Sequence, residues 1–229
     1  VNMKLSKRLQ AIADLIIKYK HGESLGDIGT DHAYLPCYLV NENVIQKAYA
    51  CDIAKGPIQA SIETIGSYHL ENKVIPLLGS GIHPLLDQHV DMISICGMGG
   101  KLIVDILDEF PEYIQDQRLF LQANVGLEVL REYLYLHQIE IIDEDIVKDA
   151  HHIYEIMVCQ KTSKQLSYQE EDIYFGPYLR QKKNTLFYEK WRRQLHIYQN
   201  ILTSLEENHP RYQEVLHMIE MIEGELNEG

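Results

Sequence analysis

Ser24-Leu25-Gly26-Asp27-Ile28-Gly29-Thr30-Asp31-His32 is the stretch that decides how this chain reads. Its opening is a short apolar run after Gly22, the pattern of a buried strand, and its second half is a turn built on glycine and carboxylates. Working downstream, helix-like and strand-like segments alternate. Residues 33–41 read as a helix with Pro36 in its first turn, 47–53 as a strand, 57–69 as a helix and 74–78 as a strand. Residues 92–96 form a fourth strand closed by Gly97-Met98-Gly99-Gly100, followed by a helix over 101–109, a strand over 119–124 and a helix over 127–137. Two last strands are expected at 139–147 and 153–160. Upstream, Leu5, Leu9, Ile12, Ala13, Ile16 and Ile17 recur at helical spacing over residues 4–19, with Lys and Arg between them. This alternation predicts an α/β fold, a mostly parallel sheet with helices on both faces.

The character changes after Lys161. Residues 163–177 are polar and turn-rich, and from Asn184 the pattern becomes helical and nearly heptad through Phe187, Trp191, Leu195, Tyr198, Leu202 and Leu205. Asn208-His209-Pro210 breaks it before a second helix carrying Tyr212, Val215, Leu216, Ile219 and Ile222. Two domains are therefore expected, an α/β domain over 3–161 and an antiparallel helical hairpin over 162–229.

The 229 residues suffice for this arrangement, and 45 % apolar with 24 % charged residues is ordinary for a soluble globular protein. No apolar run is long enough to cross a bilayer, and the first residues hold no signal-peptide core, so a cytoplasmic protein without a membrane partner is expected. Cys37, Cys51, Cys96 and Cys159 lie in apolar surroundings with no C-x-x-C pair, which favours reduced, buried thiols over a disulfide or zinc site. The histidines are scattered, so no metal centre is expected, and nothing points to an obligate protein partner. A net charge of −13 argues against a generic nucleic-acid binder unless cations are concentrated locally.

In open parallel sheets, ligands bind at the carboxyl ends of the strands. Four consecutive expected strand ends carry turn or polar residues: Asp27 to His32, Cys51-Asp52-Ile53, Gly79-Ser80-Gly81 and Cys96 to Gly100. Each alone is an ordinary turn, but the series at α/β spacing marks a site. A dinucleotide would call for G-x-G-x-x-G and a pyrophosphate against a helix N-terminus. Here Gly26-Asp27-Ile28-Gly29-Thr30-Asp31 places carboxylates where that anion would approach, so the turn favours a cation. S-adenosylmethionine, with its sulfonium and ammonium, suits it better than a nicotinamide dinucleotide. Asp52 stands where a carboxylate accepts hydrogen bonds from ribose hydroxyls, Ile53 where it would pack on adenine, and Gly79-Ser80 beside the adenine edge. The glycines around Met98 let backbone approach a ligand closely. Cys96, ending the fourth strand, is expected near the cofactor and within reach of an electrophile. Gln122 and Asn124 end the fifth strand, where amides can read the exocyclic amine of a flipped base.

Asp27-Ile28-Gly29-Thr30-Asp31-His32-Ala33-Tyr34-Leu35-Pro36 resembles the signature of the bacterial family of tRNA (adenine-N1)-methyltransferases acting on position 22 of tRNA, the TrmK family. Further likeness follows in order: Arg8-Leu9, Asp52-Ile53 with Lys55-Gly56-Pro57, Gly97-Met98-Gly99-Gly100, Gln122-x-Asn124, Arg131-Glu132-x-Leu134, Tyr154-Glu155 and Phe175-Gly176-Pro177-Tyr178-Leu179. It departs at Ala123, where the family has proline, and at Tyr133, where tryptophan is expected. The resemblance implies a Rossmann-like class I methyltransferase domain followed by a coiled-coil-like helical hairpin, with S-adenosylmethionine as methyl donor and N1 of an adenine in tRNA as acceptor. It adds Arg8, Thr30 and His32 to the cofactor contacts named above. It also makes Asp31 the carboxylate facing the cationic product, with Gln122 and Asn124 accepting from the exocyclic amine.

A platform for tRNA is expected on the basic run Arg180, Lys182, Lys183, Lys190, Arg192 and Arg193, with Lys4, Lys7, Arg8, Lys18 and Lys20 of the first helix as a second group. The rival readings are a methyltransferase with another acceptor, a catalytically inactive Rossmann-like RNA-binding module, and a nicotinamide-dependent oxidoreductase.

Overall fold

A computed structural model of the chain describes residues 3–227; Val1, Asn2, Glu228 and Gly229, the last two inside the expected hairpin domain, lie outside the described residues. The chain divides between Ser167 and Tyr168 into two compact units, a few residues beyond the boundary expected after Lys161.

In the first unit, β1 (Ser24–Ile28), β2 (Lys47–Asp52), β3 (Val74–Leu78), β4 (Met92–Met98) and β5 (Arg118–Ala123) pair in parallel, while β6 (Ile139–Asp149) and β7 (His152–Lys161) form an antiparallel hairpin joined to β5 through β7. The order is β3-β2-β1-β4-β5-β7-β6. Leu25 to Ile28, Met92 to Ile95 and Leu119 to Ala123 are buried, the near-continuous apolar runs that a sheet covered on both faces requires. Pro76 is accommodated because β3 is an edge strand. The helices are α1 (Lys7–Lys18), α2 (Tyr34–Asn41), α3 (Lys55–Ser67), α4 (Gly100–Glu109) and α5 (Leu127–Leu136). Strand order reverses between β1 and β4, which opens a crevice at their carboxyl ends.

Local chemistry corrects several expected boundaries. Ser6 caps α1, its Oγ accepting from the Leu9 N–H at 3.2 Å, so the helix starts at Lys7 and leaves Lys4 and Lys20 outside it. Gly97 and Met98 continue β4 instead of forming the turn after it, with a shift in register against β5 between Cys96 and Met98. Arg131 of α5 is fully buried and ties two strands together. It reaches Glu155 of β7 at 2.6 Å and Glu144 of β6 at 2.8 Å, and these carboxylates are also buried.

The second unit contains α6 (Glu170–Phe175), α7 (Leu179–Lys182), α8 (Thr185–Thr203) and α9 (Tyr212–Asn227). The first lies in the stretch that sequence patterning read as turn-rich, and the second in the short gap before the helix expected from Asn184. A reciprocal capping box between Gln169 and Asp172 starts α6 despite its polar composition. Asn184 caps α8, accepting from the Phe187 N–H at 3.0 Å. Helices α8 and α9 pack on one another. Phe175 meets Trp191 edge-on at 4.5 Å beside Phe187, while Val215, Met218, Ile219 and Ile222 form the buried face of α9.

Two cations expected to face tRNA do other work within this unit. Arg180 pairs with Asp172 at 2.8 Å and with the buried Glu225 at 2.9 Å, and Lys183 lies 3.4 Å from Glu225. Both are mostly buried, and their charge neutralises these acids, which corrects their expected role as phosphate ligands. The sequence count missed this because Glu225 lies far along the chain, on α9.

Candidate active site

The carboxyl ends of β1 to β4 line a cleft of about 320 Å³ bounded by Gly29, Asp52, Ile53, Gly79, Ser80 and the segment Cys96 to Met98. A smaller recess of about 60 Å³ continues from it past Gly29 and Cys96 to Arg8, Asp27, Thr30, Asp31 and His32. A larger, more open groove of about 600 Å³ runs along α1, but it lies away from the strand ends and is lined by a mixture of apolar side chains, such as Met3 and Leu5, and polar ones, such as Lys4 and Asp14.

Asp27 sits at the end of β1 with only 5 % of its surface exposed. Its two oxygens accept hydrogen bonds from the Ser94 hydroxyl at 2.6 Å and the Thr30 hydroxyl at 2.7 Å. Burial pushes this carboxyl up to about 6, against the pull of those hydrogen bonds and of the Arg8 charge. Thr30 therefore supports Asp27 with its hydroxyl. The turn that follows is strained: Asp31 (φ 59°) and Ala33 (φ 56°) are left-handed without being glycine. It is held by the Gly29 and Thr30 N–H groups, both donating to the Cys51 carbonyl at 2.9 Å, and by the Ser61 hydroxyl donating to the Asp31 carbonyl at 3.2 Å. The Asp31 side chain is 74 % exposed and lies 3.7 Å from His32, whose ring stacks on Tyr34.

Asp52 ends β2. Its carboxylate accepts from the Asp31 N–H at 3.3 Å and the Ala54 N–H at 3.0 Å, which orients it while leaving lone pairs for a ligand. Ile53 beside it is 71 % exposed, an apolar surface at the mouth of the cleft. Gly79 is fixed by its N–H donating to the Asp52 carbonyl at 2.9 Å. Gly29 has φ 71°, a left-handed conformation that favours glycine, and a β-carbon there would also have to displace the terminal methyl of Met98.

The bulge in β4 turns the Gly97 N–H out of the ladder, and Gln122 takes it. The Gln122 side-chain oxygen accepts from Gly97 at 3.1 Å and from Arg8 Nη1 at 2.7 Å, and its Nε2 donates to Asn124 Oδ1 at 3.0 Å. Gln122 is fully buried, so it cannot touch a base; this corrects its expected role as a reader of the exocyclic amine. Asn124 is exposed, its N–H donating to the Met98 carbonyl at 2.7 Å. The Arg8 guanidinium lines the recess and lies 5.7 Å from the Tyr154 ring, with no carboxylate in ion-pair distance among the described residues. Cys96 borders both parts of the crevice, but burial pushes its thiol far above the ordinary range, which opposes the expected reactivity.

Sequence reading thus located the four strand ends. It missed Ser94 as the partner of Asp27, although a lone serine inside an apolar strand was a visible signal. It also missed Leu102 and Ile106 of α4, which line the cleft as an ordinary helix face would. Among the described residues no group of three or more His, Cys, Asp or Glu side chains could hold a metal ion, and no helix is long and apolar enough to cross a membrane.

Known proteins share this arrangement. Residues 25–224 match the family model "tRNA (adenine(22)-N(1))-methyltransferase". The Bacillus subtilis (strain 168) tRNA (adenine(22)-N(1))-methyltransferase is 31 % identical over 99 % of both chains. The structure of M. capricolum TrmK with S-adenosyl-homocysteine, its natural cofactor product, has a TM-score of 0.88 at 28 % identity over 99 % of both chains. A Streptococcus pneumoniae protein described as a candidate tRNA (m1A22) methyltransferase, solved with S-adenosyl-L-methionine, has a TM-score of 0.88 at 32 % identity, covering 97 % of this chain and 100 % of that one. With its Rossmann-like sheet, acidic first turn and strand-end crevice, this chain belongs to the tRNA (adenine(22)-N(1))-methyltransferase family.

Proposed function

We propose that the crevice binds S-adenosylmethionine and that the chain transfers its methyl group to N1 of adenine 22 in tRNA. The charge pattern along the strand ends carries this reading. An α-amino acid tail bears an ammonium and a carboxylate, and the recess offers the buried Asp27 carboxylate and the Arg8 guanidinium. A nucleoside bears ribose hydroxyls and an apolar base face, and the cleft offers Asp52, Ile53 and the open backbone of Gly79-Ser80. The cleft, at about 320 Å³, is within the range of small-molecule sites, and it shares Gly29 and Cys96 with the recess that holds Asp27 and Arg8.

When bound, S-adenosylmethionine supplies an electrophilic methyl group on a sulfonium centre. The acceptor, N1 of a neutral adenine, holds its lone pair in the ring plane and needs no general base to attack. The protein's task is orientation and charge complementarity. N1 lies on the Watson–Crick edge, so the base must enter unpaired or flipped. Methylation leaves the ring cationic. The exposed carboxylate of Asp31, at the rim of the recess, is the charge placed to face it, and its effect strengthens as the substrate displaces water.

In the second unit, Lys182, Lys190, Arg192 and Arg193 are the cations assigned to tRNA phosphates. Arg192 and Lys190 lie over the Tyr188 and Trp191 rings, which holds their side chains on the helix face. An enzyme with this substrate works in the cytoplasm, where tRNA is. The test is transfer of a labelled methyl group to tRNA carrying adenine at position 22, with tRNA carrying guanine there as control. Label is expected on the first alone; equal label on both, or on neither, refutes the assignment.

A further inference from the structure

We propose that Gln122 is the positioning residue of this site, one buried amide that holds Arg8 for the cofactor's carboxylate and fixes Asn124 with its NH2 group turned to the incoming adenine. The proposal rests on the reading that the crevice takes S-adenosylmethionine and that the base enters beside Asn124.

The orientation follows from which partners can only donate. Arg8 Nη1 and the Gly97 N–H have no lone pair to offer, so the Gln122 oxygen must face them, at 2.7 and 3.1 Å. The Gln122 NH2 group is thereby directed at Asn124, 3.0 Å away, and Asn124 must present its oxygen to it. The Asn124 NH2 group is left pointing outward on an exposed residue at the end of β5. A donor there matches a ring nitrogen lone pair of the purine other than the attacking N1. It does not match the exocyclic amine, which is itself a donor.

The amide is also the right group electrically. A glutamate at 122 would pair with Arg8 and cancel its charge, and it would have no hydrogen to give Asn124. A neutral amide aligns the guanidinium and leaves its charge for a ligand. Since Gln122 has no exposed surface, its whole contribution passes through Arg8, Gly97 and Asn124.

Double-mutant cycles on the full chain test this. S-adenosylhomocysteine affinity is read by calorimetry, and methyl transfer by single turnover on tRNA at saturating cofactor. Gln122→Leu should weaken S-adenosylhomocysteine about tenfold, but less than about twofold when Arg8 is already alanine. It should slow transfer about tenfold, but less than about twofold when Asn124 is already alanine. Asn124→Asp, at an exposed position safe for folding, keeps the oxygen that Gln122 needs and removes the outward NH2. It should slow transfer about tenfold with S-adenosylhomocysteine affinity unchanged. Losses that simply add in the cycles, or full transfer by Asn124→Asp, overturn the proposal. If Arg8→Ala alone leaves S-adenosylhomocysteine affinity intact, the cofactor reading itself fails, a result distinct from additive cycles.

Discussion

Replacing Asp27 by asparagine should stabilise the ligand-free protein at neutral pH while removing its affinity for cofactor. The carboxyl is almost wholly buried, and desolvation raises it from 3.8 to about 6 despite the two hydroxyl donors. A folded-state value above the unfolded one means that the native protein holds the proton more tightly. The group's contribution to stability is fully present below about pH 4 and is lost as pH rises through about 6. Roughly two units correspond to about 3 kcal/mol between those limits. Asparagine keeps the shape without the charge. The Ser94 and Thr30 hydroxyls now donate to Asp27, and one can rotate to accept from the new amide at a cost of about 1 kcal/mol. Denaturant unfolding at pH 8 should therefore find Asp27→Asn more stable by about 1–3 kcal/mol, a gain that shrinks toward pH 4. Calorimetry should find S-adenosylhomocysteine binding abolished in the variant. In the native protein, affinity should fall about tenfold per pH unit below about pH 6, as protons compete with the ammonium. A variant destabilised by the same amount at every pH, with undiminished ligand affinity, would refute both the desolvation account and the assignment of Asp27.

Other parts of the site and fold give sharp expectations. Asp52→Ala should weaken S-adenosylhomocysteine by about 2 kcal/mol through loss of charge-assisted contacts to the ribose, and unchanged calorimetric affinity would remove Asp52 from the site. Cys96 should react with iodoacetamide far more slowly at pH 8 than a small free thiol does, because burial holds it protonated; labelling at the free-thiol rate would contradict that. Arg131→Met should cost about 3–5 kcal/mol in unfolding free energy, since it strands two buried carboxylates, and a loss under 1 kcal/mol, on the order of a surface pair, would show the cluster to be solvated. Neutralising Lys182, Arg192 and Arg193 should flatten the slope of log K for tRNA against log salt by about 0.7–0.9 per contact, whereas Arg180→Gln should chiefly lower the melting temperature; an unchanged slope would exclude this face as the phosphate contact.

What was legible in the sequence is what is local. The strand ends could be read because apolar runs stop where glycine and carboxylates begin. Asp27, Asp52 and Gly97 are defined by their place on a strand more than by their distant partners. What escaped is pairing through space. The acceptor of Arg8 lies 114 positions along the chain, and the serine that holds Asp27 lies 67 positions away. Counting charges in the run 180–193 likewise says nothing of Glu225, 45 residues on from Arg180, which together with Asp172 takes up the Arg180 and Lys183 charges. Periodicity registers which face of an element is buried, but it is blind to which polar group meets which. Function here depends on that second layer. Asp27 is kept as a carboxylate in a place that disfavours its charge, and Arg8 is aligned by a neutral amide instead of an acid. The two opposite charges share one recess without an ion pair between them, although the Arg8 charge eases that of Asp27 through space. On the proposed reading, a zwitterionic amino-acid tail would satisfy both at once. A simple anion or cation would satisfy one and leave the other in a poorly solvated recess, so the site discriminates by what it leaves unpaired as much as by what it contacts.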